Sequence, residues 1–201
     1  MTSRLIGRRV RPSDAVFAAA AVAAIAVVLA VTGGEASASH VGCGDTITAD
    51  TTLDSDLVNC PNNGILIGAD GITLDLNGHV IDGDGTPAAG CDPNAEVCDS
   101  GVVDDGHDRV TVRQGRVREF GVGVLFGTSS AGRVRHNRVL GISSSRNLSF
   151  GIALFSSARS LVRNSSGSRN LAPDGDGMGL FDSHHVRIVH NSFRHNPLGL
   201  H

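Results

Sequence analysis

Apolar residues recur in this chain in short alternations, each bounded by Gly, Asn, Asp or Ser. Such runs read as strands closed by turns, and no stretch after residue 39 keeps a helical period. One set of strands falls at 65–67, 102–103, 122–126, 152–154, 178–180 and 198–200. A second falls at 72–76, 110–112, 134–135, 161–162 and 186–188. A weaker third falls at 80–81, 117, 139 and 193. Ile-x-Leu and Val-x-Val spacings put alternate residues on one face of each strand.

The elements repeat. Asn137, Asn164 and Asn191 stand 27 residues apart, and Val134, Leu161 and Ile188 keep the same step (VRHN, LVRN, IVHN). Beside them recur GVGVLF at 121–126, GIALF at 151–155, GMGLF at 177–181 and PLGL at 197–200. Self-similarity at this period is the sign of a solenoid, in which each unit buries its apolar face only against its neighbours. The expected fold is all-β: a parallel solenoid of about six coils with three short strands per coil. Equivalent strands would pair in parallel about 4.8 Å apart.

In that fold Asn137, Asn164 and Asn191 are expected to stack as a ladder, since Asn tolerates a left-handed corner and its side chain bonds its neighbours. Asn147, Asn170 and Asn196, each preceded by Arg or His, are expected to close a second corner. Glycines ahead of the first strands are expected to supply positive φ. Phe126, Phe155 and Phe181 hold repeated positions and are expected in the core.

Residues 1–38 read differently. Arg8, Arg9 and Arg11 precede an apolar run at 15–31, and Ala36-Ser37-Ala38 offers a small-x-small cleavage site. This is the pattern of a secretory signal peptide. The residues after Arg8-Arg9 match a twin-arginine signal poorly, so general secretory export is expected. The run is short for a bilayer span, so no membrane association is expected after cleavage. Residues 39–201 then form the solenoid domain, in a secreted or extracytoplasmic setting. PLGLH ends part-way through a coil, so the domain is expected to be C-terminally incomplete.

Cys43, Cys60, Cys91 and Cys98 all lie beyond the leader, where disulfides are expected. Short loops favour Cys43–Cys60 and Cys91–Cys98 among the three pairings. Charge is distributed unevenly. Residues 39–108 carry 14 carboxylates and no Arg, whereas 109–201 carry 13 Arg against 4 carboxylates. In a solenoid this becomes an acidic end and an Arg-rich end, and the latter can attract polyanions. Trp, Tyr and Lys are absent beyond the leader, which disfavours stacking on neutral sugars. Arg without interleaved aromatics is no nucleic-acid motif. The pattern carries no signal of oligomeric state.

The pattern G-[IVM]-x-L, then S-x-x-[VL]-x-[IV]-x-x-N, then x-F-x-x-N is similar to right-handed parallel β-helix proteins of the pectin-lyase-like superfamily. The segment GADGITLDLNGHVIDGDG at 68–85 resembles an early coil of secreted bacterial members. That group includes carbohydrate-binding and sugar-hydrolase repeat domains. The resemblance implies a right-handed coil and either polysaccharide binding or, if the protein is an enzyme, a polysaccharide lyase or glycoside hydrolase.

Several residues could carry such chemistry. Asp104, Asp105 and His107 form the densest acid–base cluster, and paired carboxylates suit glycoside hydrolysis. On the 27-residue step Arg163 would stack between His136 and His190, a positive stripe that could grip uronate or sulfate. Asp174 and Asp176 flank a first strand and could meet substrate. Asp82, Asp84 and Asp92 could hold Ca²⁺ through oxygen ligands. A periplasmic copper-processing protein shares this type of repeat, which would make His136, His184, His185, His190, His195 and His201 candidate metal ligands. The expected function is binding or acting on polysaccharide, acidic glycans above all. The alternatives are a non-catalytic structural or adhesive module and a copper-processing protein.

Overall fold

The computed structural model describes residues 40–87, 99–127, 132–171 and 175–201. The expected leader, Cys91, Cys98, Asp92 and Asp174 lie outside the described residues.

The short alternations fold as strands, and each strand pairs in parallel with its equivalent one coil on. The first face is a seven-stranded sheet: Asp45–Ile47, Ile65–Ile67, Ser100–Asp104, Val122–Phe126, Phe150–Phe155, Asp176–Phe181 and Leu198–Leu200. All six first-face segments expected from the sequence lie in it. The second face runs through Thr51–Thr52, Thr73–Asp75, the front of Thr111–Arg118, the front of Arg138–Ser145, Leu161–Arg163 and Arg187–Val189. The third runs through Leu57–Cys60, Val80–Gly83, the back halves of the two long strands, Ser166–Ser168 and Ser192–Arg194. The long strands turn from second to third face at Gln114 (φ 58°) and Gly141 (φ 65°).

Inward residues stack into columns. Val102, Val124, Ile152 and Met178 form one; Leu74, Val112, Val139 and Val162 form another, and all eight are fully buried. Each such side chain contributes roughly 1.5–3 kcal/mol by leaving water. A Cys43–Cys60 disulfide staples the first coil, as expected.

The second corner is also as expected. Asn147 donates through its backbone N–H and Nδ2 to Asn170 Oδ1, both at 3.1 Å. Asn170 repeats this towards Asn196 Oδ1, again at 3.1 Å. Here the glycines matter, though not through φ. Gly121, Gly151 and Gly177 are not among the residues with positive φ, contrary to expectation. A Cβ at Gly151 or Gly177 would instead press on the amides of Asn170 or Asn196 and on neighbouring backbone. The sequence requires close approach at these positions, not a left-handed turn.

The 27-residue ladder does not form. Arg138 pairs with Leu161, 23 residues on, and Leu161 pairs with Arg187, 26 on. Asn137 is therefore level with Ser160, Asn164 with Gly141 and His190, and Asn191 with Ser165. Coil lengths differ because corners differ, and one V-x-x-N pattern serves more than one corner. Val134-Arg135 accordingly belongs to a separate two-strand pairing with Ser157-Ala158, not to the second face. Val139 lies on the second face, not the third. A similar slip affects the aromatics. Phe126 is level with Leu154 in the core, whereas Phe155 and Phe181 come one residue later, face outward and stack at 4.5 Å.

Candidate functional site

Alternation leaves every other residue of the second face pointing to solvent. Register carries these outward residues from coil to coil in two rows. One row runs Thr73, Thr111, Arg138, Leu161, Arg187; the other runs Asp75, Arg113, Leu140, Arg163, Val189. The early part is neutralised, because Arg113 pairs with Asp75 at 2.8 Å. Beyond Arg113 neither row contains an acid. Arg138, Arg163 and Arg187 are exposed, and among the described residues none of them makes an ion pair. Half-buried Leu140, Leu161 and Val189 lie between them. An open groove here is lined by Leu161, Arg163, Asn164, Arg187, Val189 and His190.

The corner before this face adds one more arginine, between two histidines. His136, Arg159 and His185 are exposed, have φ of 61°, 55° and 55°, and succeed one another through backbone bonds between coils. Nearby, the His184 imidazole is held below its ordinary range by desolvation, then by the charges of Arg133, His185 and Arg159, with Asp182 opposing.

The expected His136–Arg163–His190 stripe is thus rearranged. His136 stacks with Arg159 and His185, Arg163 lies beside Leu140 and Val189, and His190 lies beside Asn164. Arg163 and His190 still line one groove. Sequence reasoning missed Arg138 and Arg187. Aligning the inward column Val112, Val139, Val162, Ile188 would have found them, since each is the residue just before a column member.

The acid–base cluster is divided by the wall. Asp104 has no exposure, whereas Asp105 faces solvent. Asp104 Oδ1 accepts from the His107 N–H at 2.9 Å and faces His107 Nδ1 at 3.1 Å; its Oδ2 accepts from Asn137 Nδ2 at 2.8 Å. Burial pushes Asp104 up to about 6, and its bonds to His107 restrain the rise. Asn137 in turn accepts from the Val110 N–H at 2.9 Å and donates from its own N–H to Ser160 Oγ at 3.2 Å. This network binds neighbouring coils together, and its sealed carboxylate cannot reach a polymer.

A family model described as a right-handed β-helix region matches residues 63–200. The chain belongs to the right-handed β-helix family. No curated protein and no solved structure matches it.

In this right-handed β-helix protein the other carboxylate candidates among the described residues, Asp82, Asp84 and Asp176, are engaged in local contacts. Asp82 holds Arg118 through both oxygens, at 2.9 and 2.7 Å. Asp84 accepts from the Thr86 N–H at 2.9 Å and hydroxyl at 2.8 Å, which lowers its pKa. Asp176 is fully buried with His201 Nδ1 at 3.3 Å. The His184 and His185 rings lie 5.2 Å apart. Among the described residues no group of three His, Cys, Asp or Glu converges closely enough to hold a metal ion. No helix among them is long and apolar enough to cross a membrane.

Proposed function

We propose that this right-handed β-helix protein binds acidic polysaccharide along its second face, outside the cytoplasm. The observation that carries this reading is the set Arg138, Arg163 and Arg187: exposed, without ion pairs among the described residues, and interleaved with aliphatic side chains. A guanidinium fork binds a carboxylate or sulfate through two donors. The aliphatic residues between the forks suit the C–H faces of sugar rings. The Cys43–Cys60 disulfide supports an oxidising compartment. Binding is favoured over cleavage because Asp104 is sealed and used by the corner.

The test is affinity electrophoresis of the full chain through gels carrying polygalacturonate or neutral dextran. Retardation is expected with polygalacturonate alone. Each exposed pair contributes about 0.5 kcal/mol, so R138Q/R163Q/R187Q should bind about tenfold more weakly. Equal retardation by dextran, or an unaffected triple variant, contradicts the proposal. Absence of any glycan binding would return the protein to the structural-module reading, for which the saturated Asn ladder at the second corner is the supporting observation.

A further inference from the structure

Resting on that reading, we propose that the second face binds acidic polysaccharide under pH control: acidification charges His136, His185 and His190 at its margins, so the polymer is gripped in acid and released near neutrality. Backbone bonds between coils bring Arg109, His136, Arg159 and His185 to equivalent positions of the corner before this face. All four are exposed and left-handed, with φ between 55° and 61°. Arginine and histidine therefore alternate along one edge of the face. Arg109 is held by Asp70 at 3.3 Å. Among the described residues His136, Arg159 and His185 make no ion pair. The opposite margin carries His190, level with Asn164 and lining the groove with Arg163 and Arg187. His190 is likewise exposed and outside every ion pair among the described residues.

Histidine is the side chain whose ordinary range puts its charge change between about pH 5 and 8. The groups around these three are mostly cationic. Beside His136 lie Arg135 and the corner arginines of the coils on either side, with Asp108, whose carboxylate accepts the Arg135 N–H at 2.7 Å. Around His185 lie Arg159 and His184, their imidazoles 5.2 Å apart, and Arg133 and Asp182 act on His184. Around His190 lie Arg163 and Arg187. A polyanion laid across these histidines favours their charged form. By linkage, protonation then favours the bound polyanion to the same degree. Arginine and a sulfate ester keep their charges throughout this range. Asp99 and Asp104, which burial raises to about 6, titrate within it. Both carboxyls persist in the variants below, so their share is measured apart.

Full-chain protein is titrated with dextran sulfate, whose charge is fixed, and with polygalacturonate, at about pH 5 and about pH 7.5 and one salt concentration. An exposed charge contributes roughly two- to threefold to such binding, so the parent should bind each polymer about tenfold more tightly in acid. In H136Q/H185Q/H190Q that ratio should fall below about twofold. In H136R/H185R/H190R it should fall as far, with the affinity near neutrality raised to the parent's acid value. Left-handed corners of this fold already hold Arg109 and Arg159, so both variants should keep the parent's β-type circular dichroism. A parent ratio near unity, or a ratio that survives in the Gln variant, overturns the pH control and leaves acidic-glycan binding standing. Failure of the parent to bind either polymer at either pH overturns both.

Discussion

His136-Asn137, Arg146-Asn147, Arg169-Asn170 and His195-Asn196 are built alike. The basic residue takes a left-handed conformation, with φ of 61°, 57°, 57° and 58°, and its side chain is exposed. The next residue, Asn, is at least half-buried and bonds backbone and side chains of adjoining coils. A left-handed residue with a Cβ costs roughly 1–2 kcal/mol, and the Asn bonds offset that cost. Replacing Asn170 by Ala removes the acceptor of the Asn147 N–H and Nδ2 and the Nδ2 donor to the Asp176 carbonyl, and leaves Asn196 Oδ1 with the backbone N–H of residue 170 alone. Denaturant unfolding should register a loss of about 3 kcal/mol; a loss under about 1 kcal/mol would deny the ladder its role. Stability should also depend on pH through Asp104. Its folded pKa is about 6, raised by burial. The neutral form is therefore favoured by folding, so this contribution is present below about pH 4 and lost as pH rises through about 6. Unfolding free energies of the parent and Asp104→Asn should change relative to one another between about pH 3.5 and 7, the parent losing at most about 3 kcal/mol against the variant. A parent that gains on the variant over that range would show that folding favours the charged carboxylate instead.

Parallel register decides which residues become neighbours, and it explains what could and could not be seen in the linear chain. The first-face strands were legible because their apolar alternations are strong and their equivalents recur with little variation. The Asn147, Asn170 and Asn196 corner forms as expected, although the basic residue before each Asn does not mark it, since Asn164 and Asn191 follow Arg163 and His190 and do not stack. The 27-residue step misled because coils here advance by 23 and 26 residues. A single-residue slip turns every side chain of a strand to the other face. Aligning Leu161 with Ile188 therefore equates an outward residue with an inward one. The same slip hid Arg138 and Arg187, and placed Phe155 and Phe181 in a core they do not enter. Burial, rather than residue type, separates Asp104 from Asp105, and neighbouring letters in a sequence do not reveal it.

Across the whole molecule, charge varies along the solenoid axis. Acidic early coils meet Arg-rich later ones, and at their junction Arg113 and Arg118 are taken up by Asp75 and Asp82. Past that junction the second face carries arginines without acids, so on the proposed reading a polyanion would be steered to residues 138–190 although the chain as a whole has a formal net charge of −3. Such binding releases counterions, and affinity falls with salt in proportion to the contacts made. The most direct measurement is the slope of log affinity against log salt for a polyuronate, in the parent and in R138Q/R163Q/R187Q. A steep slope is expected for the parent, flattening in the triple variant by about three ions' worth. An identical slope in both would show that the second face is not where the polymer binds.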